Sequence, residues 1–239
     1  MKRTERRHLK ENELQTLALQ ARELFETRRR EMTALTAALV AAVVIAGGYF
    51  VWRDRMQSSA YALLAQAMAV QEARVVPAGT TPSVLGSYPT ERARLEAAVV
   101  KFKAAADAYP STDAGIFARY QEAVGRVELG DAAAGASAYQ EVIRRAGDNI
   151  YGQMARLGLA EAQARAGQYE QAINAFKELV QRKDGPLPVD GILMQLGRTY
   201  RDAGKRTDAQ QTFNRLVEEY PESPFTPEAR RELDTLNKT

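Results

Sequence analysis

The stretch from Gly191 to Pro221, GILMQLGRTYRDAGKRTDAQQTFNRLVEEYP, carries apolar positions at helical intervals on both sides of a glycine. Leu196 and Tyr200 share one face of a first helix, and Ala209, Phe213 and Leu216 share one face of a second. Gly204 sits between them, where the chain must reverse and where glycine tolerates backbone that other residues avoid. Ala209 is small enough to let the paired helix approach, with Phe213 wedged between neighbours. The same arrangement recurs upstream. Phe102, Tyr139, Phe176 and Phe213 stand 37 positions apart, as do Ala98, Gly135, Ala172 and Ala209, and Ala105, Val142, Leu179 and Leu216. Gly130, Gly167 and Gly204 keep the interval. Self-similarity at a fixed period means stacked copies of one helical pair, each too small to bury its apolar face alone.

The Gly191–Pro221 unit closely resembles the tetratricopeptide consensus, and the reading is an all-α helical-repeat solenoid. The preceding unit has Leu159, Ala160, Gly167, Tyr169, Ala172, Ile173 and Phe176, with Gln163 at an aromatic position. The second departs further: Ala123, Gly130, Tyr139 and Val142 fit, but Glu122 stands where a leucine is usual and Gly135 where an alanine is. In the first, Ala93 takes the glycine place and a Pro/Gly stretch from Pro77 to Pro89 intervenes, so its leading helix is displaced to about Gln57 to Arg74. At the other end, Thr226 caps and Pro227 opens a last helix to Leu236. Its outer face of Arg230, Arg231, Glu232 and Asp234 closes the end of the stack.

Met32 to Trp52, MTALTAALVAAVVIAGGYFVW, is 21 residues without a charge, which as a helix spans roughly 30 Å, the thickness of a bilayer core. The segment reads as a single N-terminal transmembrane helix. A cleaved signal, with Ser58-Ser59-Ala60 as its small-residue site, would have an over-long leader and apolar core. Nine basic residues precede the span (Lys2, Arg3, Arg6, Arg7, Lys10, Arg22, Arg28, Arg29 and Arg30), and only Arg53 and Arg55 closely follow it. Basic residues stay inside. Residues 1–31 are therefore a basic cytoplasmic arm, residues 32–52 the span, and residues 53–239 an extracytoplasmic repeat domain of about four helical pairs and a C-terminal cap. Leu14, Leu17, Ala18, Ala21, Leu24 and Phe25 make the arm amphipathic, fitted to lipid headgroups or a partner. Ala38, Ala42 and Ala46 would let another helix approach the span.

The net charge of +3 therefore reflects topology rather than a nucleic-acid surface. The chain has no cysteine and one histidine, His8, which excludes thiol nucleophiles, disulfides, zinc thiolates and lipid attachment through cysteine, together with histidine triads. Carboxylates alternate with arginines on helices, as solvated faces do. No cofactor, metal site or catalytic residue is expected, and the chain reads as non-enzymatic.

Repeat surfaces of this kind bind proteins. In the tetratricopeptide alignment the first helix of each unit lines an inner groove, which assigns to it Phe117, Tyr120 and Val124, then Met154, Leu157, Glu161 and Arg165, then Met194, Arg198 and Asp202, with Arg201 adjoining. The arginines would make charge-assisted bonds to carboxylates of an extended or helical peptide held by the aromatic residues.

One basic arm, one span, a helix after it, an irregular loop and further helical pairs together resemble the ancillary SecYEG translocon subunit, a single-span bacterial inner-membrane protein with a periplasmic tetratricopeptide domain. The resemblance implies a chaperone-like adaptor whose partners are translocon components, periplasmic chaperones or emerging client chains. The segment LVEEYPESPFTPEARREL (216–233) also resembles repeats of outer-membrane assembly and cell-envelope coordination proteins, which implies an envelope-assembly or cell-division scaffold as the alternative.

Overall fold

The computed structural model describes residues 29–76, 86–182 and 185–238. Among the described residues nine helices follow one another: α1 (Arg29–Gln71), α2 (Glu91–Ala108), α3 (Asp113–Glu128), α4 (Ala132–Ala146), α5 (Ile150–Arg165), α6 (Tyr169–Gln181), α7 (Val189–Asp202), α8 (Arg206–Glu219) and α9 (Thr226–Lys238). Side chains set the starts of four of them. Thr90, Thr112, Asp131 and Asn149 each accept a hydrogen bond from the backbone N–H three residues on, at 3.1, 3.1, 3.2 and 3.1 Å, and so satisfy donors that the first turn leaves orphaned. The glycines expected in the turns, Gly130, Gly167 and Gly204, have φ of +92°, +76° and +74°. They follow α3, α5 and α7 and turn the chain back into α4, α6 and α8. The expected amphipathic arm from Leu14 to Phe25, and His8, lie outside the described residues.

The chain divides into two units, Met1–Arg55 and Met56–Thr239. In the first, the side chains from Thr33 to Arg55 are all exposed, Leu35, Leu39, Val43 and Ile45 among them. α1 is long and apolar enough to cross a membrane. At one end of its uncharged stretch Tyr49 packs 6.2 Å from Phe50 and 6.0 Å from Trp52, centroid to centroid.

In the second unit each helix from α2 to α9 packs on the next, and further contacts join α3 to α5 and α5 to α7. First helices of successive pairs therefore lie side by side, as in a stacked repeat. Ala60, Leu64 and Ala67 near the end of α1 share a core with Ala98, Phe102 and Ala105 of α2, so the displaced first helix completes the first pair. The four residues at the 37-residue interval, Phe102, Tyr139, Phe176 and Phe213, are all buried. Their fit is close. A Cβ on Gly197 would lie 2.4 Å from the Phe213 ring, and one on Gly158 would lie 2.5 Å from the Tyr139 ring.

Glu122 is 2 % exposed at its leucine-like position because arginines surround it. Its carboxylate accepts from Arg126 Nε at 2.8 Å and from Arg119, which also bonds Asp107 of α2 and lies 3.1 Å from Glu141 of α4. Burial works against the charge on Arg119, but Asp107, Glu122 and Glu141 outweigh it and hold the guanidinium above the ordinary arginine range. Three helices are thus tied through one buried cation that keeps its partners, the condition under which a buried charge is tolerated.

At the C-terminus the cap differs from expectation. Thr226 lies within α9 rather than capping it, and its hydroxyl donates to Tyr220 O at 2.8 Å. Ser223 takes the turn instead, accepting from Phe225 N at 3.1 Å and donating to Asp190 at 2.6 Å. Glu232 does not face outward: with Glu228, one turn before it, it pairs with Arg201 and Arg198 of α7.

Phe213→Ala should destabilise the unit by about 3–5 kcal/mol through transfer and cavity losses, felt chiefly in α7 to α9. Gly197→Ala should cost ~1–3 kcal/mol by overpacking the same contact. Chemical denaturation of the full chain in detergent checks both; a loss of less than about 1 kcal/mol for Phe213→Ala would remove the wedge role.

Candidate functional site

Side by side, α3 and α5 leave a cavity of about 350 Å³ lined by Tyr120, Val124, Val127 and Glu128 of α3, Tyr139 of α4, Met154, Leu157, Gly158, Glu161 and Arg165 of α5, and Leu187 from the segment before α7. The volume falls near the lower end of the ~300–1,000 Å³ typical of ligand pockets. It suits a few side chains of a larger molecule. Gly158 shapes the floor, since only a residue without a side chain leaves room for the Tyr139 ring. Aromatic packing continues the lining: Tyr120 lies 5.8 Å from Tyr139 and 6.4 Å from Phe117, which is 5.7 Å from Tyr151.

Of the residues assigned to the groove from sequence, Tyr120, Val124, Met154, Leu157, Glu161 and Arg165 line this cavity. Phe117 stacks beside Tyr120 without lining it. The α7 residues stand elsewhere. Met194 is 1 % exposed and packs in the core with Leu193, Phe213 and Leu216, so it is a structural residue. Arg198 and Arg201 are half-buried and engaged by Glu228 and Glu232, and Arg201 also bonds Asp202 at 2.9 Å. Their carboxylate partners are the chain's own. Val127, Glu128, Tyr139, Gly158 and Leu187 were not assigned to the groove from sequence. Tyrosine in place of phenylalanine at position 139 and glycine at 158 could have marked the site, whereas Leu187 follows a proline outside any helical period and carries no such signal.

The electrostatics are set by burial. It raises the Glu161 carboxyl above the usual range, with Arg165 pulling the other way. The Tyr120 hydroxyl is pushed up by burial and then by the Glu161 charge, and that of Tyr139 rises for the same reason, chiefly burial. Among the described residues no group of histidine, cysteine, aspartate and glutamate could hold a metal.

A stack of antiparallel helix pairs with left-handed glycine turns, a buried aromatic every 37 residues and a cavity between successive first helices is a helical-repeat protein of the solenoid class. Residues 29–236 match the tetratricopeptide repeat-like domain, and the chain belongs to that family. Among solved structures it is similar to the nearly identical TPR-like repeats of a putative kinesin light chain from Podosopora anserina, at 13 % identity over 76 % of this chain and 87 % of that one, with a TM-score of 0.58. A variant of the same protein gives the same score over 76 % of this chain and 86 % of the other. YrrB, described as a TPR protein with an unusual peptide-binding site, is 16 % identical over 59 % of this chain and 74 % of its own, with a TM-score of 0.43. No curated protein matches the chain in sequence.

Because the Glu161 carboxyl titrates higher in the folded than in the unfolded chain, ionising it costs stability, and the cost is complete only above its raised folded value. Glu161→Gln should therefore raise the melting temperature at pH 7, and the gain should shrink as pH falls and vanish below the ~4.3 of an unperturbed glutamate. Melting curves across that range check the sign. A destabilised variant at pH 7, or a gain independent of pH, would refute the assignment.

Proposed function

We propose that this protein is a non-enzymatic, membrane-anchored scaffold that holds a segment of a partner protein in the cavity between α3 and α5. One observation carries the reading. Successive first helices leave an open pocket whose lining sets two tyrosines, Met154, Leu157 and Val124 beside Glu128, Glu161 and Arg165, and tyrosine and methionine are enriched at protein interfaces. Membership of a repeat family whose stacked surfaces serve protein binding supports it. The small cavity and the lack of histidine and cysteine beside it fit recognition better than chemistry.

Residues 1–31 are the cytoplasmic arm, 32–52 the span in membrane lipid and 53–239 the extracytoplasmic repeat domain. The exposed apolar helix and the excess of arginine and lysine before it support this orientation. Ala60, expected at a cleavage site if the segment were a signal, lies inside α1 and in the repeat core, which favours an uncleaved anchor. The resemblance to the ancillary SecYEG translocon subunit supports the bacterial inner membrane, a periplasmic repeat domain and an adaptor role for emerging chains or translocon components. Anchoring would raise the effective concentration of a membrane-borne partner without adding a contact.

A reporter active only outside the cytoplasm should work when fused after Thr239 and fail when fused before Lys10; the opposite pattern overturns the orientation. For the cavity, a photo-crosslinking residue at Leu157 should capture a partner polypeptide, while one at Val100, an exposed apolar position on α2, should not. With Tyr120→Ala and Leu157→Ala together, binding of the captured partner should weaken about thirtyfold or more, since truncating one hot spot costs ~2 kcal/mol or more. Equal capture at the two positions would remove the cavity from the function.

A further inference from the structure

The charges around the cavity run opposite to the sequence expectation. Arginines were expected to receive a partner's carboxylates, but Arg198 and Arg201 are engaged by Glu228 and Glu232 of the chain's own last helix. The acids have no such arrangement. Glu161 stands half-buried in the lining of the cavity, and among the described residues its carboxylate makes no ion pair or hydrogen bond. Glu128, across the cavity on α3, is exposed and among the described residues makes no ion pair either. Arg165, one turn beyond Glu161, is exposed and forms no ion pair with it. The lining therefore holds two carboxylates against one guanidinium.

A half-buried carboxylate without a bonded donor loses part of its hydration with no hydrogen bond to replace it. Its raised proton affinity expresses that deficit, which Arg165 relieves only in part. The deficit ends when a cation arrives with its own hydrogen bonds, because a charge-assisted bond in a low-dielectric site is about twice as strong as a neutral one. Around Glu161 the surface is apolar: Tyr120, Val124, Met154 and Leu157. Such walls would cover the methylene stem of a long basic side chain while its head reaches the acid.

We infer that the partner segment held in the cavity carries a lysine or arginine between apolar residues, its cation bonded to Glu161 and its neighbours packed on Tyr120, Met154 and Leu157. The inference rests on the cavity holding a peptide segment and names the chemistry of that segment.

The test uses the full chain in detergent micelles and three fluorescein-labelled peptides: Ser-Ala-Leu-Phe-Lys-Leu-Ala-Ser and its counterparts with glutamine or glutamate in place of the lysine. Fluorescence anisotropy should show the lysine peptide binding at least about tenfold tighter than the glutamine peptide, the factor that corresponds to a weak charge-assisted bond. The glutamate peptide should bind worst. Glu161→Gln should erase the preference by weakening the lysine peptide alone, and since that variant is expected to be more stable at pH 7, unfolding would not account for the loss. Equal binding of lysine and glutamine peptides to the unmodified protein overturns the inference, and so does a preference that survives Glu161→Gln. If all three bind alike but lose affinity with Tyr120→Ala and Leu157→Ala, the charge inference falls and the peptide-holding role stands. If none binds and Leu157 captures no polypeptide, both fall.

Discussion

Much of the stack's registration rests on large aromatic rings lying against a neighbouring helix where that helix has no side chain. Phe213 against Gly197 and Tyr139 against Gly158 are two instances, and in each a single added methyl would overlap the ring. Packing of this closeness fixes the rotation of each helix about its axis as well as its distance, because ring and gap must coincide. Everything along the stack inherits that registration: which residues of α3 and α5 face one another, and therefore that Tyr120, Leu157 and Glu161 converge on one cavity. The cavity and the core are built from adjacent faces of the same helices. Tyr139 belongs to both.

Charge distribution follows a second logic. α9 meets α7 with Glu228 and Glu232 set against Arg198 and Arg201. Further up, Arg119 joins α2, α3 and α4 through three acids. In both, the acids have bonded cations, whereas Glu161 lies in the cavity lining with Arg165 one turn away and, among the described residues, no ion pair. Matched pairs inside the fold and an unmatched acid in the cavity divide the charges into those that specify structure and those left for another molecule.

The repeat period was legible in the sequence because core packing demands the same residue class at the same angular position in every unit. Phe102, Tyr139, Phe176 and Phe213 could not vary freely. Glycine turns were legible for a similar reason, since positive φ is a local demand that Gly130, Gly167 and Gly204 meet. Position along a helix was less informative about what lies opposite. Met194 shares the spacing of Leu157 one repeat earlier, yet is covered by the core around Phe213, because the neighbours of α7 differ from those of α5. Arg198 and Arg201 read as groove residues and Glu232 as outward-facing for the same reason, as a pairing between helices about 30 residues apart leaves no periodic trace. Leu187 enters the cavity from irregular chain. Thr226 sits in a cap-like sequence, but its hydroxyl is drawn to Tyr220 O.

Val75 and Tyr88 form an isolated parallel bridge, with Val76 N donating to Tyr88 O at 2.8 Å and Tyr88 N donating to Arg74 O at 2.9 Å. Arg94 of α2 adds a bond to Ala73 O at 3.3 Å. The ends of the intervening chain are thus clasped before α2 begins. The entry of the chain into α2 is set by contacts at Ala73, Arg74, Val76 and Tyr88, so the register of the helices beyond it depends on those residues rather than on the length of what lies between.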